Sequence, residues 1–119
     1  MALHSLTIPD WKPTSTNKLI TSHWAVARKL KKADADIIAG YAIHQAIPKA
    51  TGKRRLSFTV YVSGRGRTPD ADNFLKSMCD GLVKCGLLVD DSPTWMELGK
   101  MEVARGGSAT VITLEDITA

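Results

Sequence analysis

Apolar and polar positions alternate most cleanly over residues 54–63, "RRLSFTVYVS". Leu56, Phe58, Val60 and Val62 fall on one side, Ser57, Thr59 and Tyr61 on the other. A period of two predicts a strand with one buried face. Between about Thr21 or Ser22 and Ala46 the period lengthens: Leu30, Ala33, Ile37 and Tyr41 recur at steps of three and four, with Lys31, Lys32, Asp34 and Asp36 between them. This spacing predicts a long helix opened by a hydroxyl N-cap, weakened at Gly40 and ended by Pro48. A second helix is predicted over residues 71–85, with Leu75, Met78, Cys79 and Leu82 as its buried stripe and Gly86 as its stop. "LHSLTI" (3–8) reads as a short strand stopped by Pro9, and "PDWKPTSTNKL" reads as loop because of its prolines and its Ser, Thr and Asn residues. Near the C-terminus "MELGKMEVA" and "SATVITL" flank "RGGS", the pattern of a β-hairpin, with Gly99 marking a bulge.

The resulting order, β-α-β-α-β-β, predicts an α+β fold in which a mixed sheet carries both helices on one face. A chain of 119 residues is the size of one domain, taken here as residues 1–119. Hydrophobic residues make up 44% and charged residues 24%, and no apolar run approaches the length of a membrane span, so no membrane partner is expected. The opening "MALHSLTIPDWKP" lacks the basic-then-apolar layout of a secretory signal, which makes a cytoplasmic location the expectation. Cys79 and Cys85 lie on different faces of one predicted helix, a spacing that suits neither zinc nor a local disulfide, so both read as reduced packing residues.

Charge changes the picture more than composition does. The formal net charge is +4, and the bases cluster in "ARKLKK" (27–32), "KRR" (53–55) and "RGR" (65–67). The acids gather at Asp70, Asp72, Asp80, Asp90 and Asp91. A basic surface around an acidic focus suits an enzyme that acts on a polyanion through a cation, and a solvated mixed-charge surface suits it as well. Asp72, Lys76 and Asp80 recur at i, i+4 and i+8 on the polar face of the second helix. One Asp at its start explains a cap, and the Lys pairings follow from helical period. A second Asp at the start and the pair Asp90-Asp91 beyond the helix are not explained that way. If they converge, such carboxylates need cations, and their hard oxygens suit Mg²⁺ or Mn²⁺.

"DADNFLKSMCDGLVKCGLLVDDS" (70–92) resembles the signature of the RusA-type Holliday junction resolvases. The resemblance rests on Asp70, Asp72, Asn73, Lys76, Asp80, Gly86, Asp90 and Asp91 at the family's spacing. It extends to an N-terminal strand, the "KPTSTN" loop, the long first helix and a C-terminal hairpin. It implies a homodimeric, Mg²⁺-dependent endonuclease (Mn²⁺ as a substitute) that resolves four-way DNA junctions by paired nicks in recombination and repair. Such a protein would be cytoplasmic, on the nucleoid when bound to DNA, and would need no small-molecule cofactor. It also implies Asp70, Asp72 and Asp91 as catalytic, metal-binding acids, Lys76 as their basic partner and Asp90 as an auxiliary ligand. Pro69 stands where family members commonly carry a basic residue, with Arg65 and Arg67 just upstream.

Arg65, Arg67, Lys53, Arg54 and Arg55 are the expected phosphate contacts, with Lys100 and Arg105 as further candidates, although a solvated surface explains each as well. The loop resemblance makes Asn17 a DNA contact, and a turn-forming role explains it equally. His4, His23 and His44 are scattered without the spacing of a metal site or triad. Trp24 and Trp95 read as core or dimer packing in preference to base stacking, and Glu97 is explained by strand alternation. Two other functions fit the same residues: a junction-binding dimer without catalysis, and a Mg²⁺-dependent phosphohydrolase of small substrates. The basic clusters and the lack of a Gly-rich phosphate loop favour DNA.

Overall fold

The computed structural model describes residues 2–64 and 68–117. Strand β2 (Arg54–Val62) sits inside the sheet, with Arg54, Leu56, Phe58 and Val60 buried on one face. It pairs antiparallel with β4 (Ala109–Asp116) on one side and parallel with β3 (Met96–Arg105) on the other. β1 (Leu3–Pro9) joins the far edge of β4, which gives a mixed four-stranded sheet of order β1-β4-β2-β3. The α+β architecture expected from the sequence is therefore present.

The hairpin expected across "RGGS" is not. β3 and β4 run in opposite directions, but β2 lies between them, and residues 106–108 carry the chain across its end. Tyr61 faces Ala104 on one side and Ala109 on the other. A turn-rich link between two alternating segments gives the same local signal whether or not a third strand intervenes. Here the strand with the most apolar inward face gains two hydrogen-bonded neighbours, where a hairpin would have left it one. The bulge expected at Gly99 does form: Leu56 opposes Leu98, Phe58 opposes Met101, and the extra residue is accommodated at Ser57. The Lys100 N–H donates to Ser57 Oγ at 3.2 Å, and a Cβ at residue 99 would collide with that oxygen.

Helix α2 (Trp24–His44) and helix α3 (Leu75–Lys84) cover the same face of the sheet. Ile38, Ala42, Met78 and Leu82 form one buried cluster with Leu6, Ile8, Leu56, Phe58, Val60, Ile112 and Leu114. The inward face of α2 is rotated by about one residue from its expected stripe. Asp34, Ala35, Ile38 and Ala42 are buried, while Ala33 is exposed and Ile37 and Tyr41 are half-buried. Ala35, Ile38 and Ala42 supply the small apolar face that packs on the sheet and α3, and Asp34 beside them is buried with its carboxylate accepting the Thr14 N–H at 2.9 Å. A short helix α1 (Thr16–Thr21) occupies part of the expected loop, capped by Ser15, whose hydroxyl accepts the Lys18 N–H at 3.2 Å. Among the described residues no helix is long and apolar enough to cross a membrane.

Candidate active site

The loop 12–15 and the start of α1 are held by three hydrogen bonds to three elements. The Thr14 N–H reaches Asp34 on α2, the Ser77 hydroxyl of α3 donates to the Thr14 carbonyl at 2.6 Å, and the Thr16 hydroxyl donates to the Asn73 carbonyl at 3.1 Å. Asn73 belongs to a 3₁₀ turn, Ala71–Phe74, that leads into α3. These bonds set Asn17 against the segment carrying Asp70 and Asp72. Together with Thr16, Thr68, Pro69 and Asn73 they line an open cleft of about 470 Å³.

Asp70 occupies the N-cap position of the turn, yet its side chain makes no capping hydrogen bond. Asp72 lies in the first turn, and both carboxylates are exposed. Most acids of the chain are engaged: Asp34 by Thr14, Asp36 by Lys32, Asp80 by Lys31 and Lys76, Glu97 and Glu115 by Arg55, Glu102 by Lys100, Asp116 by Arg54 and His4. Among the described residues, the acids without a side-chain partner are Asp10, Asp70, Asp72, Asp90 and Asp91. Four of these five are the acids singled out by the sequence as metal ligands.

Gly86 returns the chain along α3. At φ +83° it takes the left-handed conformation that favours glycine; its N–H donates to the Val83 carbonyl at 3.1 Å and the Leu87 N–H donates to the Leu82 carbonyl at 2.9 Å. Leu87 and Leu88 then enter the core, and Asp90 and Asp91 emerge exposed beside the helix. They line a second cleft, about 360 Å³, with Lys31, Asp80, Val83 and Lys84. The Cys79 thiol lies within the field of Asp91 and Asp80. Burial first, then the charges of Asp91 and Asp80, push its pKa up to about 11, against the opposing charge of Lys76. Cys85 is likewise raised, chiefly by burial, and both cysteines are free thiols.

Asp91 therefore returns to the middle of α3, while Asp70 and Asp72 stand before its start. The four acids line two clefts, and among the described residues no three His, Cys, Asp or Glu side chains form a ready ligand group. Lys76 is exposed on the first turns of α3, its Nζ 3.8 Å from Asp80 Oδ2. The donor set consists of exposed carboxylate oxygens, which fits a hard divalent cation such as Mg²⁺ or Mn²⁺. Sequence reasoning did not place Thr16, Thr68 or Asn73 at the first cleft, or Lys31 and Lys84 at the second. Lys31 comes from a helix remote in sequence, and no spacing signals that approach.

The expected phosphate contacts divide. Arg54 is a correction: it is 2% exposed, its Nε–H donates to Asp116 Oδ1 at 2.7 Å and its Nη1–H to the Leu87 carbonyl at 2.9 Å. Its position in β2 shares the inward parity of Leu56, Phe58 and Val60, so it braces the core and does not face DNA. Asp116 also pairs with His4 at 3.0 Å. The hydrogen bond from Arg54, then that from His4, holds its carboxyl below the usual range. Arg55 lies on the opposite face of the strand, pairing with Glu97 at 2.7 Å and Glu115 at 2.6 Å, so two carboxylates already neutralise it. Lys53 is half-buried; Lys100 pairs with Glu102 at 2.8 Å, and Arg105 Nη1–H donates to the Gly64 carbonyl at 2.8 Å. Arg65 and Arg67 lie outside the described residues. Of the two packing roles expected for Trp24, core or dimer contact, its 65% exposure removes the first. No protein-family model matches the chain, and no curated protein matches it either.

Proposed function

We propose that the chain is a Mg²⁺-dependent endonuclease of the RusA type, acting as a homodimer that resolves four-way DNA junctions in recombination and repair. The observation that supports this most is the freedom of the acids. Asp70 and Asp72 make no cap bond and, among the described residues, no ion pair, and they open on a cleft beside Asn17. Exposed carboxylates without a partner among the described residues are available to a divalent cation.

On this reading Asp70 and Asp72, which share a cleft, would hold Mg²⁺ or Mn²⁺, and Asp91, with Asp90 as an auxiliary ligand, lines the second cleft and would have to be supplied to the ion by the partner subunit of the dimer. When bound, such an ion supplies Lewis acidity toward a phosphate and lets water deprotonate near neutral pH. Lys76, one helical turn beyond Asp72, offers an exposed ammonium to the negative charge that builds on phosphorus, or orients the attacking water. Asn17 offers a side-chain amide to the DNA strand in the same cleft. A two-fold dimer supplies two such sites, one for each nick.

The test is cleavage of a synthetic four-way junction in Mg²⁺, with binding measured in parallel. Wild type should give paired symmetric nicks. Asp72→Asn should give none while holding the junction as tightly or more tightly, because a charge that repels phosphate is gone. A cutting Asp72→Asn enzyme overturns the metal assignment. Tight binding without cutting in Mg²⁺ or Mn²⁺ would identify a non-catalytic junction binder, and turnover of small phosphate esters without preference for branched DNA a phosphohydrolase.

A further inference from the structure

Helix α2 begins with its largest side chain in water. Trp24 is 65% exposed, and Ile20, just before it on α1, is 75% exposed. The Arg28 guanidinium, one turn later, stands over the indole at 5.9 Å from its centroid. The indole forms one end of a groove of about 460 Å³ whose other lining groups include Arg28, Lys29, Lys31, Lys32 and Lys84. Among the described residues no carboxylate lines it. Among the described residues Lys31 and Lys32 are paired with Asp80 and Asp36, and Arg28, Lys29 and Lys84 have no acidic partner. Lys31 and Lys84 also line the cleft of Asp90 and Asp91, so the two depressions adjoin at these side chains.

We infer that this groove docks a single nucleic-acid strand, one unpaired base stacking on Trp24 and the following phosphates lying on Arg28, Lys29 and Lys84. An aromatic face combined with several cations is the means by which single strands are held without base-edge readout. An acidic peptide would satisfy the lysines but leave the indole unused. A membrane surface would need one apolar stripe, whereas Trp24 and the exposed Val26 are two residues apart and point to different sides of the helix. A strand leaving the groove past Lys31 and Lys84 arrives at Asp90 and Asp91. The inference does not depend on the cleavage reading, since the groove would serve a protein that binds and never cuts.

Fluorescence anisotropy of labelled single-stranded oligothymidylate and of a blunt duplex, in EDTA, tests it on the full chain. Trp24→Ala should weaken single-strand binding about tenfold, with Trp24→Phe retaining most of the affinity and duplex binding changing less. Lys84→Gln should weaken both and flatten the salt dependence. Because Trp24 lies at the surface, circular dichroism should show the same unfolding midpoint in all variants. Absence of single-strand binding by wild type, or Trp24→Ala binding within twofold of it, overturns the inference. Two other results would reassign the surface and overturn it too: anionic lipid vesicles bound through Trp24 in preference to the oligonucleotide, or a dimer that Trp24→Ala converts to monomer. Because divalent ions are absent, loss of cleavage in a separate assay leaves this result untouched.

Discussion

Thr16 and Asn73 stand 57 residues apart in the chain, and the hydroxyl of the first donates to the carbonyl of the second at 3.1 Å. This bond joins the helix that carries Asn17 to the turn that carries Asp72. Thr16→Val keeps the side-chain shape and removes the donor. Stability should fall by about 1 kcal/mol in urea unfolding, and junction cleavage by roughly tenfold, because small displacements at a reacting centre are amplified in rate. Thr16→Ser should restore both. Equal rates for Thr16→Val and wild type would show that Asn17 needs no such tether.

Asp116 is the counter-charge of a buried arginine. Its carboxyl pKa is lowered from the ordinary 3.8, through the hydrogen bond from Arg54 first and that from His4 second. A depressed carboxylate pKa contributes stability that is complete above the unfolded-state value, about pH 4, and is lost as pH falls through the folded value. Asp116→Ala should cost about 2 kcal/mol at neutral pH, since the Arg54 guanidinium stays inside without its carboxylate. The acid limb of the stability–pH profile should flatten with it. Chemical denaturation between pH 2 and 7 reads both effects, and an unchanged profile would contradict the pairing.

Substitution of unpartnered acids should cost little. Asp70→Asn and Asp72→Asn are expected to leave stability in EDTA within about 0.5 kcal/mol. Mg²⁺ at tenfold its dissociation constant should stabilise wild type by about 1.4 kcal/mol and the double variant far less. Thermal scans with and without the ion separate the two cases. Marked destabilisation in EDTA would give these carboxylates a structural role in place of a ligating one.

Cys79 lies within the field of Asp91. Its thiol, raised to about 11 by burial and by the charges of Asp91 and Asp80, carries little thiolate at neutral pH. Iodoacetamide should modify it slowly at pH 8. Asp91→Asn removes one raising charge, so alkylation of Cys79 at fixed pH should quicken while that of Cys85 stays constant. Peptide mass spectrometry distinguishes the two sites, and identical Cys79 rates would mean that burial of the thiol, not the charge of Asp91, controls its reactivity.

Much of this architecture is visible in local pattern. The inward parity of β2, the stripe of α3, the stop at Gly86 and the bulge at Gly99 all follow from spacing and from residue types with few alternatives. The errors share one physical origin, the choice of a distant partner. Two alternating segments joined by "RGGS" look like a hairpin because nothing local announces that β2 will lie between them. Asp34 is buried with its carboxylate on the Thr14 N–H, and no hydropathy pattern foretells that. Arg54 was the avoidable case, since extending the period of Leu56, Phe58 and Val60 by one step puts it inside. At the candidate site, the sequence names the acids but not their grouping. Asp70 and Asp72 meet Asn17 through the hydrogen bonds of Thr14 and Thr16, and Asp91 meets α3 through the return at Gly86.

The placement of β1 has a consequence for the order of assembly. Its sheet partner is β4, and His4 meets Asp116 across 112 residues of chain. During synthesis β1 has no sheet edge to join until β4 appears, and Leu6 and Ile8 lack their sheet neighbours Ile112 and Leu114 until then. Folding of this chain is thus tied to late, long-range closure, and the interval before it is when chaperones would find β1 open.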